Sequence, residues 1–326
     1  MRRSIAVLAA VSILALLPVA EASAKPAPIT GKLSAVAPLG LAGVSPDATL
    51  LPDGTVRLYY SSMEGGTAAD LCTMAGQCTR QGLLRGISDL TVVTLADGTR
   101  RGYFVQMEPA TQAKSIVTAV MSPDGLSYTS PTPVGIASAP GQRAWGVPDS
   151  VVLPDGRVRL YWVDEQAGSP GESVVSATST DSSGTTFVRD AGARVTGGVV
   201  DFEVLQAKTG TWIAVASTTP GNPPQKLLIA SSADGLTWKV NRKSLSPATS
   251  NYIDPTGFAT GPNTFRLYVT LSPKATPFDG FDINQMTLKV KPKKYAAPPV
   301  RPRARGARPR TYRMTTNGRL PADRRS

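Results

Sequence analysis

Two segments of the chain, residues 47–60 and 149–162, are near copies of each other, with the sequences DATLLPDGTVRLYY and DSVVLPDGRVRLYW. Each is an apolar run, a Pro-Asp-Gly turn and a second run rich in β-branched and aromatic residues. This pattern predicts a β-hairpin. Hairpins that recur along one chain indicate a repeat protein, so the period of the repeat decides the fold.

Weaker copies of the hairpin begin at Asp89, Asp201 and Asp254. The leading aspartates of the five units lie 42, 60, 52 and 53 residues apart. These spacings are close to one four-stranded propeller blade of roughly 40 to 50 residues plus loops. Residues 121–128, 179–187 and 231–238 each carry an Asp-Gly or similar turn that ends in an aromatic residue, as expected between the two outer strands of a blade. We therefore predict an all-β, five-bladed β-propeller.

The fifth unit, from Asp254 to about Val290, has room for only three strands. The segment 31–37 could supply the fourth strand from the other end of the chain. Such a strand would close the ring and remove a sheet edge that otherwise invites aggregation. We place the propeller at residues 25–290.

The two ends of the chain differ in composition from this central region. Residues 1–24 combine Arg2 and Arg3 with an apolar stretch and an Ala-Ser-Ala site, which predicts a signal peptide and a secreted or cell-surface protein. Residues 289–326 hold 13 basic side chains and one acid, whereas residues 25–288 hold 20 basic and 21 acidic ones.

We predict that residues 291–326 are a disordered Pro/Arg-rich tail. It either tethers the protein to an anionic cell-wall or membrane surface or serves only as a solubilising tail. Because the propeller itself is nearly neutral, we expect no specific nucleic-acid partner. We also expect a monomer.

Residue types that are absent restrict the chemistry. The chain has no histidine, which excludes Ser-His-Asp and Cys-His catalysis and His-ligated zinc. It has no glycine-rich phosphate loop, and its only cysteines, Cys72 and Cys78, are expected to form a disulfide in an exported protein. We expect no metal and no cofactor, so an enzyme of this sequence must use carboxylates.

The third unit, residues 148–162, is similar to an Asp-Pro-Ser-Val-Phe-like run that ends in Asp-Gly and Tyr-Leu-Tyr-Trp. Such a run is typical of the five-bladed propeller glycoside hydrolases, the superfamily of arabinanases, β-xylosidases, invertases and levansucrases. The chain resembles this superfamily over most of residues 31–290, and its Asp-Gly turns also resemble those of sialidases. The family has an Asp in an Arg-Asp-Pro run in the first blade, a second Asp in the third and a Glu on the innermost strand of the fourth.

Asp47, Asp149 and Glu203 fall in those three blades. The resemblance implies that Asp47 is the general base or nucleophile, Glu203 the proton donor and Asp149 the group that orients the sugar. The repeat offers an alternative, because all five units begin with Asp and these residues could simply form turns. On that basis Asp89, Asp201 and Asp254 are assigned mainly to structure, and Glu203 is the inner-strand acid that the repeat does not explain.

The resemblance implies a hydrolase acting on a plant, microbial or fructan polysaccharide, with Trp145 and Tyr252 as sugar-stacking residues or, alternatively, as ordinary packing between blades. The competing hypothesis is a non-catalytic propeller that binds a glycan or protein at the cell surface. Sialidase activity is disfavoured because it needs three convergent arginines. Arg57, Arg159 and Arg266 recur at one repeat position, where we expect them to pair locally.

Overall fold

The computed structural model describes residues 29–165, 171–208, 211–220, 224–276 and 279–292. The predicted signal peptide and nearly all of the predicted tail lie outside these ranges. The described residues form strands and turns but no helix, so none of them belongs to a helix capable of crossing a membrane.

The strands form five antiparallel sheets, and each sheet is one blade. The chain starts with two strands that join the last blade, β1 (Ile29–Leu33) and β2 (Ala37–Leu41). The first blade contains β3 (Gly43–Leu50), β4 (Val56–Ser62), β5 (Thr67–Cys72) and β6 (Cys78–Leu84). The second contains β7 (Ser88–Thr94), β8 (Arg100–Met107), β9 (Lys114–Val120) and β10 (Thr132–Ala137).

The remaining blades follow the same order from the centre outwards. The third contains β11 (Trp145–Val152), β12 (Val158–Glu165), β13 (Glu172–Ser179), β14 (Phe187–Arg189) and the short β15 (Val195–Thr196). The fourth contains β16 (Val200–Lys208), β17 (Thr211–Ser217), β18 (Leu227–Ser232) and β19 (Trp238–Asn241). The fifth contains β20 (Ser250–Gly261), β21 (Thr264–Pro273) and β22 (Asp282–Pro292).

The ring is closed by the N-terminal strand, as the sequence predicts. Strand β1 pairs antiparallel with β22, from Ile29 opposite Pro292 to Leu33 opposite Leu288, and so becomes the outer strand of the fifth blade. The inner strands β3, β7, β11, β16 and β20 each contact the next, and β20 contacts β3. The prediction of a closed five-bladed propeller is therefore confirmed.

Neighbouring blades are linked by a tyrosine of the second strand, which reaches the outer turn of the next blade. The hydroxyl of Tyr59 donates to the carbonyl of Gly125 at 3.0 Å, and that of Tyr103 donates to Gly184 at 2.8 Å. A third link of the same kind joins the third blade to the fourth. These turns lie between the outer strands, as predicted, because Asp-Gly sequences form tight turns.

Gly125 is needed at its turn for two reasons, so we expect Gly125→Ala to destabilise the protein by about 2 to 4 kcal/mol. Its φ is +72°, and an added Cβ would lie 2.2 Å from the hydroxyl oxygen of the fully buried Tyr59. Urea unfolding measures the loss. Gly54→Ala is the matched control, because Gly54 has a φ of +82° with nothing within 4 Å of its Cβ. It should lose about 1 kcal/mol, and equal losses would contradict the steric argument.

The first blade replaces the Asp-Gly turn with a disulfide loop. Cys72 and Cys78 are bonded, which confirms the predicted disulfide. The loop contacts the fifth blade through Gln285, whose amide nitrogen donates to the carbonyl of Ala75 at 3.1 Å and whose amide oxygen accepts from Arg266 at 2.7 Å. The disulfide loop therefore lies at the interface where the ring closes.

Candidate active site

Every inner strand is interrupted by a bulge at the same place, close to its beginning. The pairing with the second strand shifts between Val44 and Asp47 in the first blade, and at the matching positions of the other four. Within each bulge one non-glycine residue has a φ between +46° and +50°: Ser45, Asp89, Val147, Asp201 and Asp254. Such conformations are costly for these residue types, above all for a β-branched valine, and they concentrate at functional sites.

The bulges separate two layers of side chains around the central axis. We call the five residues with positive φ the floor ring: Ser45, Asp89, Val147, Asp201 and Asp254. The residues two positions later pair with the second strand in all five blades, and we call them the deep ring: Asp47, Thr91, Asp149, Glu203 and Thr256. Each ring contains three carboxylic acids.

This register corrects the alignment of the repeat made from sequence. Asp47 and Asp149 were aligned with Asp89, Asp201 and Asp254 as the leading aspartates of equivalent units. In the structure Asp47 and Asp149 are equivalent to Glu203 in the deep ring. The other three aspartates belong to the floor ring. The argument that all five units share one turn-forming aspartate is therefore wrong.

Two acids of the deep ring, Asp47 and Asp149, are tightly enclosed, whereas Glu203 is half-buried. Asp47 and Asp149 are only 9% and 6% exposed. The cavity that both rings line has a volume of about 30 Å³, which holds about one water molecule and not a sugar ring. The structure thus brings the predicted catalytic trio Asp47, Asp149 and Glu203 together, in a space narrower than a glycan needs.

Hydrogen bonds from one blade to the next hold the deep ring in place. The amide of Val204 donates to Asp149 Oδ2 at 2.8 Å, and the hydroxyl of Thr256 donates to Glu203 Oε1 at 2.9 Å. Asp47 Oδ2 is buried and has no hydrogen-bond partner among the described residues. Such a group is costly to keep ionised.

All three deep acids accordingly have raised pKa values. Burial, followed by the charge of Asp149, raises the pKa of Asp47 to about 7. Burial raises the pKa of Asp149 to about 7, and burial with the charges of Asp149 and Asp47 raises the pKa of Glu203 well above its usual range. The two neighbouring acids act on each other in opposite senses: Asp149 raises the pKa of Glu203, whereas Glu203 contributes to lowering that of Asp149.

The floor ring, except for Ser45, lines an open funnel of about 350 Å³. Its acids are half-buried, and the funnel touches none of the deep-ring residues. The funnel has a mixed lining, in which apolar residues alternate with the polar and aromatic side chains of Lys114, Arg143, Trp145, Glu172 and Gln225. A funnel of this size and lining accepts a small ligand or one end of a polymer.

Two floor acids on neighbouring blades, Asp201 and Asp254, lie against each other. The amide of Asp254 donates to Asp201 Oδ2 at 3.3 Å, and the two carboxyl groups are hydrogen-bonded. Burial, then the charge of Asp254, raises the pKa of Asp201 well above its usual range, whereas burial raises that of Asp254 to about 6. The charge of Asp254 thus favours the protonated form of Asp201.

Asp89 belongs to the second blade and lies across the ring from this pair. Burial raises its pKa, while the side chain of Ser45, the amide of Val147 and the charge of Lys114 act in the opposite direction. Lys114 itself is anchored by donating to the carbonyls of Arg143 and Trp145, both at 3.0 Å. The floor thus has one acid whose pKa is raised by a neighbouring acid and, across the ring, one whose raised pKa is partly offset by the charge of Lys114.

The two predicted sugar-stacking residues lie in different surroundings. Trp145 lines the funnel at the start of β11, although it is only 5% exposed. Tyr252 is 2% exposed and packs in the apolar core between the fourth and fifth blades. Tyr252 therefore has no open face for a sugar, in line with the alternative of packing between blades.

The sequence assigns Asp89, Asp201 and Asp254 mainly to structure, and the prolines of the repeat give the register that the aspartates do not. Pro46, Pro148 and Pro255 each follow a floor-ring residue. In the family pattern the residue before that proline is the aspartate, so Ser45 and Val147 occupy the positions at which the family has its first two acids. Asp254 alone keeps the Asp-Pro pair. Across the described ranges, no group of three or more acids is arranged to hold a metal ion.

Comparison with known proteins identifies the fold. No family model matches the sequence, and no curated protein is detectably similar to it. Among solved structures, a thermostable family-43 glycoside hydrolase aligns with a TM-score of 0.58 and 12% identity over 80% of this chain and 95% of that one. An endo-arabinase from Bacteroides thetaiotaomicron aligns with a TM-score of 0.58 and 12% identity, over 80% and 98% of the two chains.

A third example, an α-L-arabinofuranosidase from Lactobacillus brevis, aligns with a TM-score of 0.57 and 12% identity over 80% of this chain and 93% of that one. The alignments cover nearly the whole of each solved chain. The resemblance stated from sequence is therefore confirmed for the fold, which is that of the five-bladed propeller glycoside hydrolases.

Proposed function

We propose that this chain is a secreted glycoside hydrolase whose catalytic carboxylates are those of the floor ring. The observation that carries the proposal is the position of Asp89, Asp201 and Asp254 beneath an open funnel, where burial and the charge of Asp254 raise the pKa of Asp201 and the charge of Lys114 acts to lower that of Asp89. Glycosidic cleavage needs one protonated and one ionised carboxyl group. The glycoside hydrolase fold supports a carbohydrate as the substrate.

In the proposed reaction Asp201 is the general acid and Asp89 the general base. Asp201 gives its proton to the glycosidic oxygen as the bond from that oxygen to the anomeric carbon breaks. Asp89 takes a proton from a water molecule, whose oxygen forms the new bond to the anomeric carbon. Asp254 orients Asp201 and, by its own negative charge, keeps the pKa of Asp201 high.

The assignment of Asp47, Asp149 and Glu203 as catalytic stays a prediction, and the burial of Asp47 and Asp149 argues for a supporting role. Because the cavity that the deep ring lines holds about one water molecule, a sugar would have to reach these acids through the floor ring. We therefore propose that the deep ring positions the bulges that carry the floor acids.

A non-catalytic glycan-binding propeller is the second candidate, and one observation favours it. Ser45 and Val147 stand where the family pattern has aspartate, so the first and third blades contribute no acid to this floor. A glycan could then bind in the funnel without being cleaved, with the basic tail as an anchor to an anionic surface.

A substrate panel separates the two candidates. Purified protein is incubated with arabinan, xylan, fructan and bacterial wall polysaccharides, and the release of reducing ends is compared with that of Asp201→Asn. We expect release from at least one polymer by the wild type and none by the variant. Binding of a polymer in affinity electrophoresis, without any release, would reject hydrolysis and establish the binding function. Release that Asp201→Asn retains would reject the floor-ring mechanism.

A further inference from the structure

The face of the propeller opposite the funnel carries arginines that point from the second strand of one blade towards the next. Arg159 in the third blade shows the fully paired arrangement. Its Nε donates to Thr178 Oγ1 at 3.0 Å and lies 3.4 Å from Asp190, while Nη1 donates to the carbonyl of Asp234 at 3.1 Å. Its guanidinium also lies over the ring of Trp212, 5.8 Å from the centroid.

Arg57 occupies the same repeat position in the first blade and has none of these partners. It is 6% exposed, and its Nε and Nη1 are buried without any hydrogen-bond acceptor among the described residues. The residue opposite it on β5 is Leu71, where Arg159 has Thr178. The expectation that the repeat arginines pair locally is therefore wrong for Arg57.

A guanidinium stays charged at any ordinary pH, so burial cannot be relieved by loss of a proton. Arg57 lies two residues before Tyr59 on β4, and both side chains therefore face the second blade. Its charge contributes to lowering the pKa of Asp124 in the turn of that blade, after the larger effects of Ser122 and Leu126. A buried guanidinium with two unbonded nitrogen atoms is thus held at the interface of the first two blades, where its charge acts on the carboxylate of Asp124.

A second arginine lies at the same interface. Arg100 is the first residue of β8 and lies three residues before Tyr103, which pairs with Thr91 of the deep ring. Trp212 has the equivalent position in β17, three residues before Val215, which pairs with Glu203. Nη1 of Arg100 donates to the carbonyl of Pro123 at 3.2 Å, and its Nη2 lies 3.4 Å from the hydroxyl of Tyr59. Where the third interface stacks an arginine on a tryptophan, the first has two arginines.

We propose that Arg57 and Arg100 form a binding site for an oxyanion of the phosphate or sulfate type, between the first and second blades and on the face away from the funnel. An oxyanion supplies the acceptors that Arg57 lacks and neutralises two neighbouring cations. The site is independent of the proposed hydrolase activity. The anion is either a free ion or a phosphate or sulfate group carried by a polysaccharide.

Thermal unfolding of the full-length protein in increasing inorganic phosphate, at ionic strength held constant with sodium chloride, tests the site. We expect a saturable rise in Tm for the wild type, because a ligand that binds only the folded state stabilises it. Arg57→Met should need at least about tenfold more phosphate for half of the effect, since a charged hydrogen bond is lost. Without phosphate its Tm should equal or exceed that of the wild type.

Arg159→Met is the matched control. It breaks existing hydrogen bonds, so its Tm should fall while its response to phosphate stays that of the wild type. Arg100→Gln is a second variant, which keeps the test valid if Arg57→Met does not fold. We expect it to weaken the response to phosphate. An equal response of wild type, Arg57→Met and Arg100→Gln would overturn the proposal and leave Arg57 bonded to water only.

Dextran sulfate, compared with neutral dextran in the same assay, distinguishes the two sources of the anion. A rise in Tm with dextran sulfate that exceeds the effect of inorganic sulfate, and that Arg57→Met loses, indicates a group carried by a polymer. Equal effects of the two sulfates indicate a free ion. A rise with dextran sulfate that Arg57→Met retains in full would reject this site as its cause.

Discussion

Asp201→Asn is expected to lower the kcat/KM for a glycan with a poor leaving group at least about 10³-fold, while the protein stays folded. The asparagine side chain keeps the shape of Asp201, and its amide can still donate to Asp254, yet it has no acidic proton for the leaving oxygen. An aryl glycoside with an acidic leaving group needs less protonation. The loss on such a substrate should therefore be much smaller, and steady-state kinetics on the two substrates measures the difference.

Asp89→Asn should be impaired on both substrates, because activation of water is required whatever the leaving group. Glu203→Gln is the matched control for the deep ring. It replaces the acid that the family resemblance names as proton donor, and it keeps the bond to Thr256. We expect a loss of less than about tenfold, as for a residue that acts only through positioning. A large loss in Glu203→Gln together with an active Asp201→Asn would reverse the assignment of the two rings.

The fold could be predicted because it rests on a local pattern that is repeated. Hairpins with Pro-Asp-Gly turns form wherever the turn sequence occurs, so the copies at Asp53 and Asp155 alone indicate the repeat. The missing fourth strand of the fifth blade predicted closure by the N-terminal segment, which β1 provides. These features need no knowledge of how blades contact one another.

The site was harder to predict because it depends on backbone conformation that the residue types do not reveal. A bulge with a positive φ places residues two positions apart in different layers, so an alignment on aspartates joined Asp47 to Asp89 although they lie in different rings. Alignment on Pro46, Pro148 and Pro255 gives the correct register. The pairing of Asp201 with Asp254 depends on contact between blades and has no sequence signal of its own.

The enclosed acids also predict that the folded protein is most stable in mildly acidic solution. Asp47 and Asp149 have pKa values of about 7 when folded, against about 3.9 for aspartate in an unfolded chain. A pKa that folding raises means that the folded state binds the proton more tightly. The stability that this tighter proton binding contributes is therefore complete below pH 4 and is lost as the pH rises through 7. For Asp47 the rise from 3.8 to about 7 corresponds to roughly 4 kcal/mol.

Aspartates in exposed turns limit the stability of the folded protein at low pH. Hydrogen bonds from Thr55 and Thr99 lower the pKa values of Asp53 and Asp97, so their contribution is lost as the pH falls below 4. We expect Tm to be highest near pH 4 to 5 and to fall by at least about 10 °C between pH 5 and pH 8. Thermal unfolding across this range in buffers of equal ionic strength measures the curve.

Asp47→Asn tests whether the enclosed acids cause this dependence, because asparagine has nearly the same shape and no proton to lose. Its Tm should exceed that of the wild type at pH 8 and match it within a few degrees at pH 5, which flattens the curve. Asp53→Asn, in an exposed turn, should leave the slope between pH 5 and pH 8 unchanged. A wild-type Tm that rises from pH 5 to pH 8 would show that the deep acids are ionised in the folded protein. A cation in the channel would then have to balance their charge, or water would have to solvate it.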